Sequence, residues 1–309
     1  MDGGAMDRLA AMAVFRRVVE QDGFAAAARD LRLSGAAVSK HVGRLEEALG
    51  VRLLNRTTRR LSLTEAGRTY FERCVRILDD IAEAEQLVTS DAASPRGQLR
   101  VNAPMSFGFR HLGPVLPAFL ARYPDITVDL ALNDRMVDLF DEGWDVAVRI
   151  ADLPDSSLIA RRVGTTRAVL AASPDYLARR GEPATPADLA AHDCLIYALT
   201  TRGQGWNFTG PGGQQASVQV KGPLRANNGD VLAAAAEAGL GIVLMPTFIV
   251  CDQLRAGSLR ALMPDWTPPT TGIHCVYPHG RHLSGKVRAF FEFLTARFGT
   301  GTPPWEEGL

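Results

Sequence analysis

The stretch Leu33–Gly50, LSGAAVSKHVGRLEEALG, reads as a helix whose two faces ask for different things. At a 3.6-residue period Val38, Val42, Leu45 and Leu49 fall on one narrow stripe, which must face a core. The opposite face carries Ala36, Lys40, Gly43, Arg44 and Glu47, with Ser39 on its flank. Glycine inside a helix costs about 1 kcal/mol relative to alanine, and here it stands on the side where packing asks for nothing. Small residues beside basic and hydroxyl side chains let a helix press closely against an anionic surface.

Working outward, a first helical pattern runs from about Asp7 to Glu20, with Leu9, Met12, Ala13 and Val19 among its buried candidates. Asp22-Gly23 breaks it, and a short alanine-rich helix follows over Phe24–Leu31. Ser34 is then a good N-cap for the helix already described, and Gly50 suits its C-terminal turn. Two short helices joined by a tight turn, the second with a small and basic outer face, describe a helix-turn-helix. Behind them, VRLLNRTTRRLSLT is two β-type runs around Thr57-Thr58, a wing with Arg56, Arg59 and Arg60 at its tip. Those arginines suit phosphates or a narrow minor groove. Residues 1–62 hold 11 Lys+Arg against 7 Asp+Glu, whereas the remaining 247 hold 23 against 27, so the basic excess is local. A local basic excess fits a nucleic-acid partner.

The residues FAAAARDLRLSGAAVSKHVGRLEEALGVRLLNRTTRRLSLTEAG closely resemble the DNA-binding domain of LysR-type transcriptional regulators. The match spans some sixty residues, and the T-T-R-R wing is that of the family's large branch. APMSFGFRHLGPVLPAFLARYPDI and KVRAFFEFL resemble its effector domain more loosely. Two departures stand out. Gly23-Phe24-Ala25 replaces a common Ser-Phe-Thr, removing hydroxyls that would cap a helix and touch phosphate. Gly35 occupies a position often held by Gln or Pro, and a glutamine there would read adenine. The family's operator preferences are therefore not carried over. The resemblance implies double-stranded promoter DNA as partner, with Ser39, Lys40 and Arg44 at or near base edges. Arg56, Thr57, Arg59 and Arg60 would anchor the backbone or minor groove, and His41 would face packing or phosphate.

A long helix follows from Glu65 to about Ser90, capped by Thr64, a rod of roughly 37 Å. Phe71, Cys74, Leu78, Ile81 and Val88 step along it by threes and fours, interrupted by Glu85. One partner helix would cover that seam, giving a dimer or a dimer of dimers; packing on the helix's own domain is the alternative. SDAASPRGQ then reads as a hinge.

From Leu99 the pattern becomes β-α-β: QLRVNAP, a helix over FRHLGPVLPAFLARYP, ITVDLAL, a short helix MVDLFDEG, and WDVAVRI. A second set begins near Arg162, and GIHCVYP with GKVRAFFEFLTARF closes the chain. Such alternation implies a mostly parallel sheet with helices on both faces. The chain as a whole is thus α/β: a winged helix-turn-helix (1–63), a linker helix (64–91), a hinge (92–98) and an effector domain. The resemblance gives that domain two periplasmic-binding-protein-like lobes, residues 99–162 with 269–299 and residues 163–268, followed by a tail (300–309). Ligand would lie between lobes, where strand ends meet helix starts. Ser106, at the first strand-to-helix junction, suits a carboxylate. Asn133, Arg149, Asn227 and Asn228 stand at further strand ends and helix starts. Arg149 has the alternative of pairing with Asp145 or Asp152, and Asn227-Asn228 that of a turn and cap. The expected effector is a small, anionic metabolite, and RNA polymerase is a further expected partner.

Other classes fit poorly. No run of apolar residues approaches the roughly 20 of a membrane span, and the acid-bearing N-terminus does not read as a signal peptide, so the cytoplasm is expected. Cys74, Cys194, Cys251 and Cys275 are scattered, with neither a C-x-x-C pair nor a zinc spacing, so reduced buried thiols and no metal or cofactor are expected. An enzyme would need a motif, and no P-loop, H-E-x-x-H or G-x-S-x-G is present. RGQGWNFTGPGG contains G-x-G but reads as a hairpin turn. A solute-binding module carrying a sequence-blind DNA-binding N-terminus is the remaining alternative.

Overall fold

The computed structural model describes residues 7–56, 61–88, 95–139, 141–151, 158–199, 205–278, 283–299 and 301–309, in two compact units divided between Ala93 and Ser94. In the first unit, α1 (Arg8–Glu20), α2 (Phe24–Asp30) and α3 (Gly35–Leu49) enclose a core of Phe15, Val18, Val38, Val42 and Leu45. Asp7 accepts the Ala10 N–H at 3.0 Å and Ser34 the Ala37 N–H at 3.1 Å, so both helices start on side-chain caps. Gly50 closes α3 with φ +67°, a left-handed conformation that glycine adopts without penalty. The buried stripe of α1 centres on Phe15, and Leu9, expected inside, lies well round the helix from it and is 46% exposed.

β1 (Leu54–Arg56) and β2 (Leu61–Leu63) pair antiparallel as the wing, with Leu54 opposite Leu63. Glu46 of α3 accepts the N–H groups of Leu53 and Leu54 at 2.8 and 3.1 Å, which ties the wing to α3. α4 (Glu65–Val88) begins where the Thr64 hydroxyl accepts the Gly67 N–H at 2.8 Å. A side chain at Gly67 would put its Cβ 1.9 Å from the Leu53 carbonyl oxygen, so the approach of α4 to the wing requires glycine. The seam of α4 is not wholly free for a partner: Phe71, Cys74 and Leu78 pack on the winged core. Phe15 meets Tyr70 and Phe71 at centroid distances of 5.9 and 6.3 Å. A short bundle buries too little without that fourth helix.

The second unit holds two five-stranded sheets. β3 (Gly97–Ala103), β4 (Ile126–Leu132), β5 (Val146–Ile150), β6 (Leu158–Thr166) and β14 (Thr271–Pro278) form the first, in the order β4-β3-β5-β14-β6. β7 (Ala168–Ala172), β8 (Cys194–Tyr197), β11 (Arg225–Ala226), β12 (Ile242–Pro246) and β13 (Arg260–Ala261) form the second, in the order β11-β8-β12-β7-β13. β3, β4 and β5 run parallel, as do β11, β8 and β12, while β14 and β7 run against their neighbours. Between β3 and β4 the chain is helical over α5 (Met105–Phe107), a π-helical turn (Gly108–Leu112) and α6 (Gly113–Arg122). α7 (Pro174–Arg180), α8 (Gly229–Glu237), α9 (Thr247–Ala256) and α10 (Gly285–Phe298) cover the sheets, and β9 (Gly205–Thr209) with β10 (Gln215–Gln219) makes the hairpin expected around Gly210.

Several expectations need correction here. The first sheet runs on to Thr166, so the chain crosses between lobes at Arg167 and not after Arg162, because β6 stays paired to β14 along its whole length. The hinge is shorter than 92–98, since Gly97 and Gln98 already pair with Ile126 and Thr127. Met136–Gly143, expected as a short helix, forms turns (Phe140 lies outside the described residues) closed by the Arg135–Glu142 ion pair at 2.9 Å. The tail is no tail: Trp305 is 1% exposed, among Phe107, His111, Phe248 and Phe298. Glu306 meets Arg167 at 2.8 Å and Thr247 at 2.7 Å. The last residues therefore strap the second lobe's Phe248 and Thr247 to the first lobe's Phe107 and Phe298, beside the crossing strand.

Candidate DNA-reading surface and effector cleft

α3 buries Val38, Val42 and Leu45 as the periodicity requires, which turns Ala36, Lys40, Arg44 and Glu47 outward, all exposed. Ser39 and His41 are half-buried at the margins. A Cβ built on Gly43, or on Gly35 at the helix start, would meet nothing within 4 Å. Among the described residues, therefore, no internal contact explains either glycine. Arg56 ends β1; its side chain, with Thr57, Arg59 and Arg60, falls outside the described residues.

In the second unit a cavity of about 410 Å³ opens between the two sheets. Its walls come from the C-terminal ends of β4, β5, β8 and β12, from the hairpin and from the return crossing at Pro268-Pro269. Most of the wall is apolar, with Tyr197, Trp206, Met245 and Phe248 prominent. Such a volume fits a small metabolite.

The sequence-selected residues behave differently from one another. Ser106 borders the cavity, but its hydroxyl donates to Asp230 Oδ2 at 2.5 Å, across from the other lobe. The same carboxylate meets Arg110 at 2.7 Å, and Arg110 also reaches Asp252 at 3.3 Å. The N–H of Met105, at the start of α5, donates to Asp134 at 2.9 Å. That helix start is thus already supplied with two carboxylates of the protein. Asn228 is the N-cap of α8, accepting the Val231 N–H at 3.2 Å, so its cap reading holds. Neither Asn228 nor the exposed Asn227 lines the cavity, because the cap geometry turns the loop toward α8.

Asn133 and Arg149 do line it. Arg149 donates through Nη1 to Asn102 Oδ1 at 2.8 Å, while its Nη2 and the Oδ1 of Asn133 are buried without a partner. Asp145 does not pair with Arg149: it holds Lys286 at 2.9 Å and accepts the Arg100 N–H. Asp152 lies outside the described residues. Burial pulls the Arg149 pKa down from its ordinary value, with the charge of Glu142 opposing, and Glu142 is itself clamped by Arg135. Burial and the charge of Asp230 push the Asp134 pKa upward against its hydrogen bonds from Met105 and Asn228.

Sequence reasoning missed Asp230, Arg110 and Asp134. Asp230 was visible as a helix first-turn acid, yet only the closed lobes bring it to a serine 124 positions earlier. The four cysteines are buried and unpaired with one another, as expected. Burial pushes Cys194 and Cys275 up to about 12 and Cys74 to about 11, far from thiolate chemistry. Among the described residues, no group of three or more His, Cys, Asp or Glu is arranged to hold a metal ion, and no helix is long and apolar enough to cross a membrane.

Comparison with known proteins bears on both units. Residues 9–68 match the model of the bacterial regulatory helix-turn-helix protein, lysR family, and residues 92–299 that of the LysR substrate binding domain. An uncharacterised HTH-type transcriptional regulator of Haemophilus influenzae is 39% identical over 282 residues, 91% of this chain and 98% of the relative. The solved structure of CrgA, a LysR-type regulator from Neisseria meningitidis, is 34% identical with a TM-score of 0.60, covering 94% of this chain and 99% of that one. Full-length AphB, a virulence activator of Vibrio cholerae, is 32% identical with a TM-score of 0.59, covering 93% and 98%. With a winged helix-turn-helix at one end and a two-lobed effector-binding domain at the other, the chain belongs to the LysR family of DNA-binding transcriptional regulators.

Proposed function

We propose that this regulator reads an operator with the outer face of α3 and answers to a small anionic effector held between its lobes. The observation that carries the reading is Gly43, whose missing Cβ nothing inside the protein requires, set between exposed Lys40 and Arg44. Ser39, Lys40 and Arg44 take base-edge or near-base roles, and Arg56, Thr57, Arg59 and Arg60 anchor the wing. Dimerisation along α4 presents two winged units to half-sites about 34–36 Å apart. Ile77, 44% exposed on a helix whose Phe71–Cys74–Leu78 stripe is engaged at home, supports a second apolar line for that contact. Effector binding shifts the lobes and so the spacing of the winged units.

The test is affinity for the DNA upstream of the protein's own gene against shuffled DNA, at two salt concentrations. A preference of about a thousandfold or more is expected of a specific regulator. Arg44→Ala should lose about 1–3 kcal/mol of discrimination, while Arg59→Ala should weaken all sequences alike and flatten the salt dependence. Equal affinity for both DNAs would sink the reading.

A further inference from the structure

We infer that Arg149 is the anion-binding group of the cleft, and that its ligand is a small organic monocarboxylate with a hydrocarbon or aromatic body. This rests on the reading of the cleft as the effector site. It also departs from the position that a strand-to-helix junction would suggest.

The helix start at Met105 and Ser106 would ordinarily be the place for an anion. In this chain the Ser106 hydroxyl there is taken by Asp230 and the Met105 N–H by Asp134. A third carboxylate brought to the same place would meet two like charges, of which, among the described residues, only Asp230 has a cation, Arg110, in contact. Arg149 presents the reverse situation. The residue lines the cavity, its hydrogen-bond partner Asn102 is neutral, and its Nη2 is buried with no acceptor. A guanidinium cannot shed its proton to escape that environment. Among the described residues no carboxylate pairs with this half-buried cation; that is unfavourable, and a ligand carboxylate relieves it with charge-assisted hydrogen bonds. The other unpartnered atom belonging to a lining residue, Asn133 Oδ1, is an acceptor and so offers a carboxylate nothing.

The rest of the wall sets the body of the ligand. Tyr197, Trp206, Leu244 and Phe248 offer flat and aliphatic surface and little to hydrogen-bond. Of the other charged residues in the wall, Asp134 repels a second carboxylate and Arg135 is already clamped by Glu142, which is why one anionic group is assigned and not two.

The experiment is calorimetric titration of the full-length protein at low chloride. The probes are benzoate and cyclohexanecarboxylate, with benzamide as the neutral twin of benzoate and succinate as a dicarboxylate. The two monocarboxylates should bind, and benzamide and succinate should bind at least tenfold more weakly. Arg149→Met and Arg149→Gln should each lower benzoate affinity about tenfold to a hundredfold, the range for a hydrogen bond to a charged group. Arg149→Gln keeps a donor for Asn102, so a failure of Arg149→Met to fold does not remove the test. Ser106→Ala should leave benzoate affinity unchanged. Equal binding of benzamide and benzoate, no binding of either monocarboxylate, full affinity in Arg149→Gln, or a comparable loss in Ser106→Ala would each overturn the assignment. None of these titrations involves DNA. Benzoate held through Arg149 without any change in the DNA footprint would instead defeat the effector reading and leave the anion site standing.

Discussion

Replacing Trp305 by alanine should destabilise the effector unit far more than its place in the chain suggests. The indole is 1% exposed and stands 4.9–6.2 Å, centroid to centroid, from four other rings. Truncating a buried Phe or Trp to Ala typically costs about 3–5 kcal/mol, transfer and cavity together. One correction runs the other way: the Trp305 Nε1–H is buried with no acceptor. Leaving such a donor unmade costs about 1–3 kcal/mol, which the variant recovers. Taking the middle of each range, the expected net loss is thus about 2 kcal/mol, below the low end for a buried ring. For a unit of this size, 1 kcal/mol moves Tm by roughly 2–4 °C, so Trp305→Ala should lower the second unit's transition by about 4–8 °C. Trp305→Phe keeps a ring and removes the unpaired donor, so it should lose much less. Differential scanning calorimetry of the full chain reads both, with the winged unit's transition as internal control. A shift below about 2 °C for Trp305→Ala, or Trp305→Phe as damaging as Trp305→Ala, would refute the account of the chain end as core.

Three further outcomes follow from single positions. Gly43→Ala should raise the stability of the winged unit by up to about 1 kcal/mol through helix propensity, whereas Gly43→Leu should leave it folded and abolish operator binding; urea melts and DNA titration separate the two, and unimpaired binding by Gly43→Leu would be the contrary result. Gly67→Ala should destabilise the same unit, by roughly 1–3 kcal/mol if the backbone shifts as in overpacked cores, because its Cβ would meet the Leu53 carbonyl at 1.9 Å. Burial holds His111 below its ordinary pKa of 6.5, while its Nε2 lies 2.9 Å from the Phe248 carbonyl oxygen. The unfolded chain therefore binds the proton first as pH falls, so the His111 contribution is complete above about 6.5 and is lost as pH drops through the folded value. Melting temperatures between pH 8 and 5.5 should fall more steeply in the parent than in His111→Gln, and parallel curves would exclude the effect.

The sequence by itself determined the winged unit because its signals are local. The Val38–Val42–Leu45 stripe, the Ser34 cap and the Gly50 stop act within a few residues, and the structure reproduces all three. The β-α-β alternation, the cap at Asn228 and the buried thiols were legible for the same reason. What failed depended on contacts between distant residues. Leu9 looks as buried as Met12 until α4 fixes which side of α1 is covered. Ser106 looks like an empty anion seat until the lobes close and place Asp230 on it. Residues 301–309 look like a polar trailing end, rich in Gly, Pro and Glu, until a ring-lined gap between two lobes receives Trp305. Periodicity and capping are decided by neighbours along the chain. Which charge is neutralised, and by whom, is decided by packing of segments more than a hundred residues apart, and only the tertiary structure leaves the Nη2 of Arg149, a residue of the cleft wall, buried without a hydrogen-bond partner.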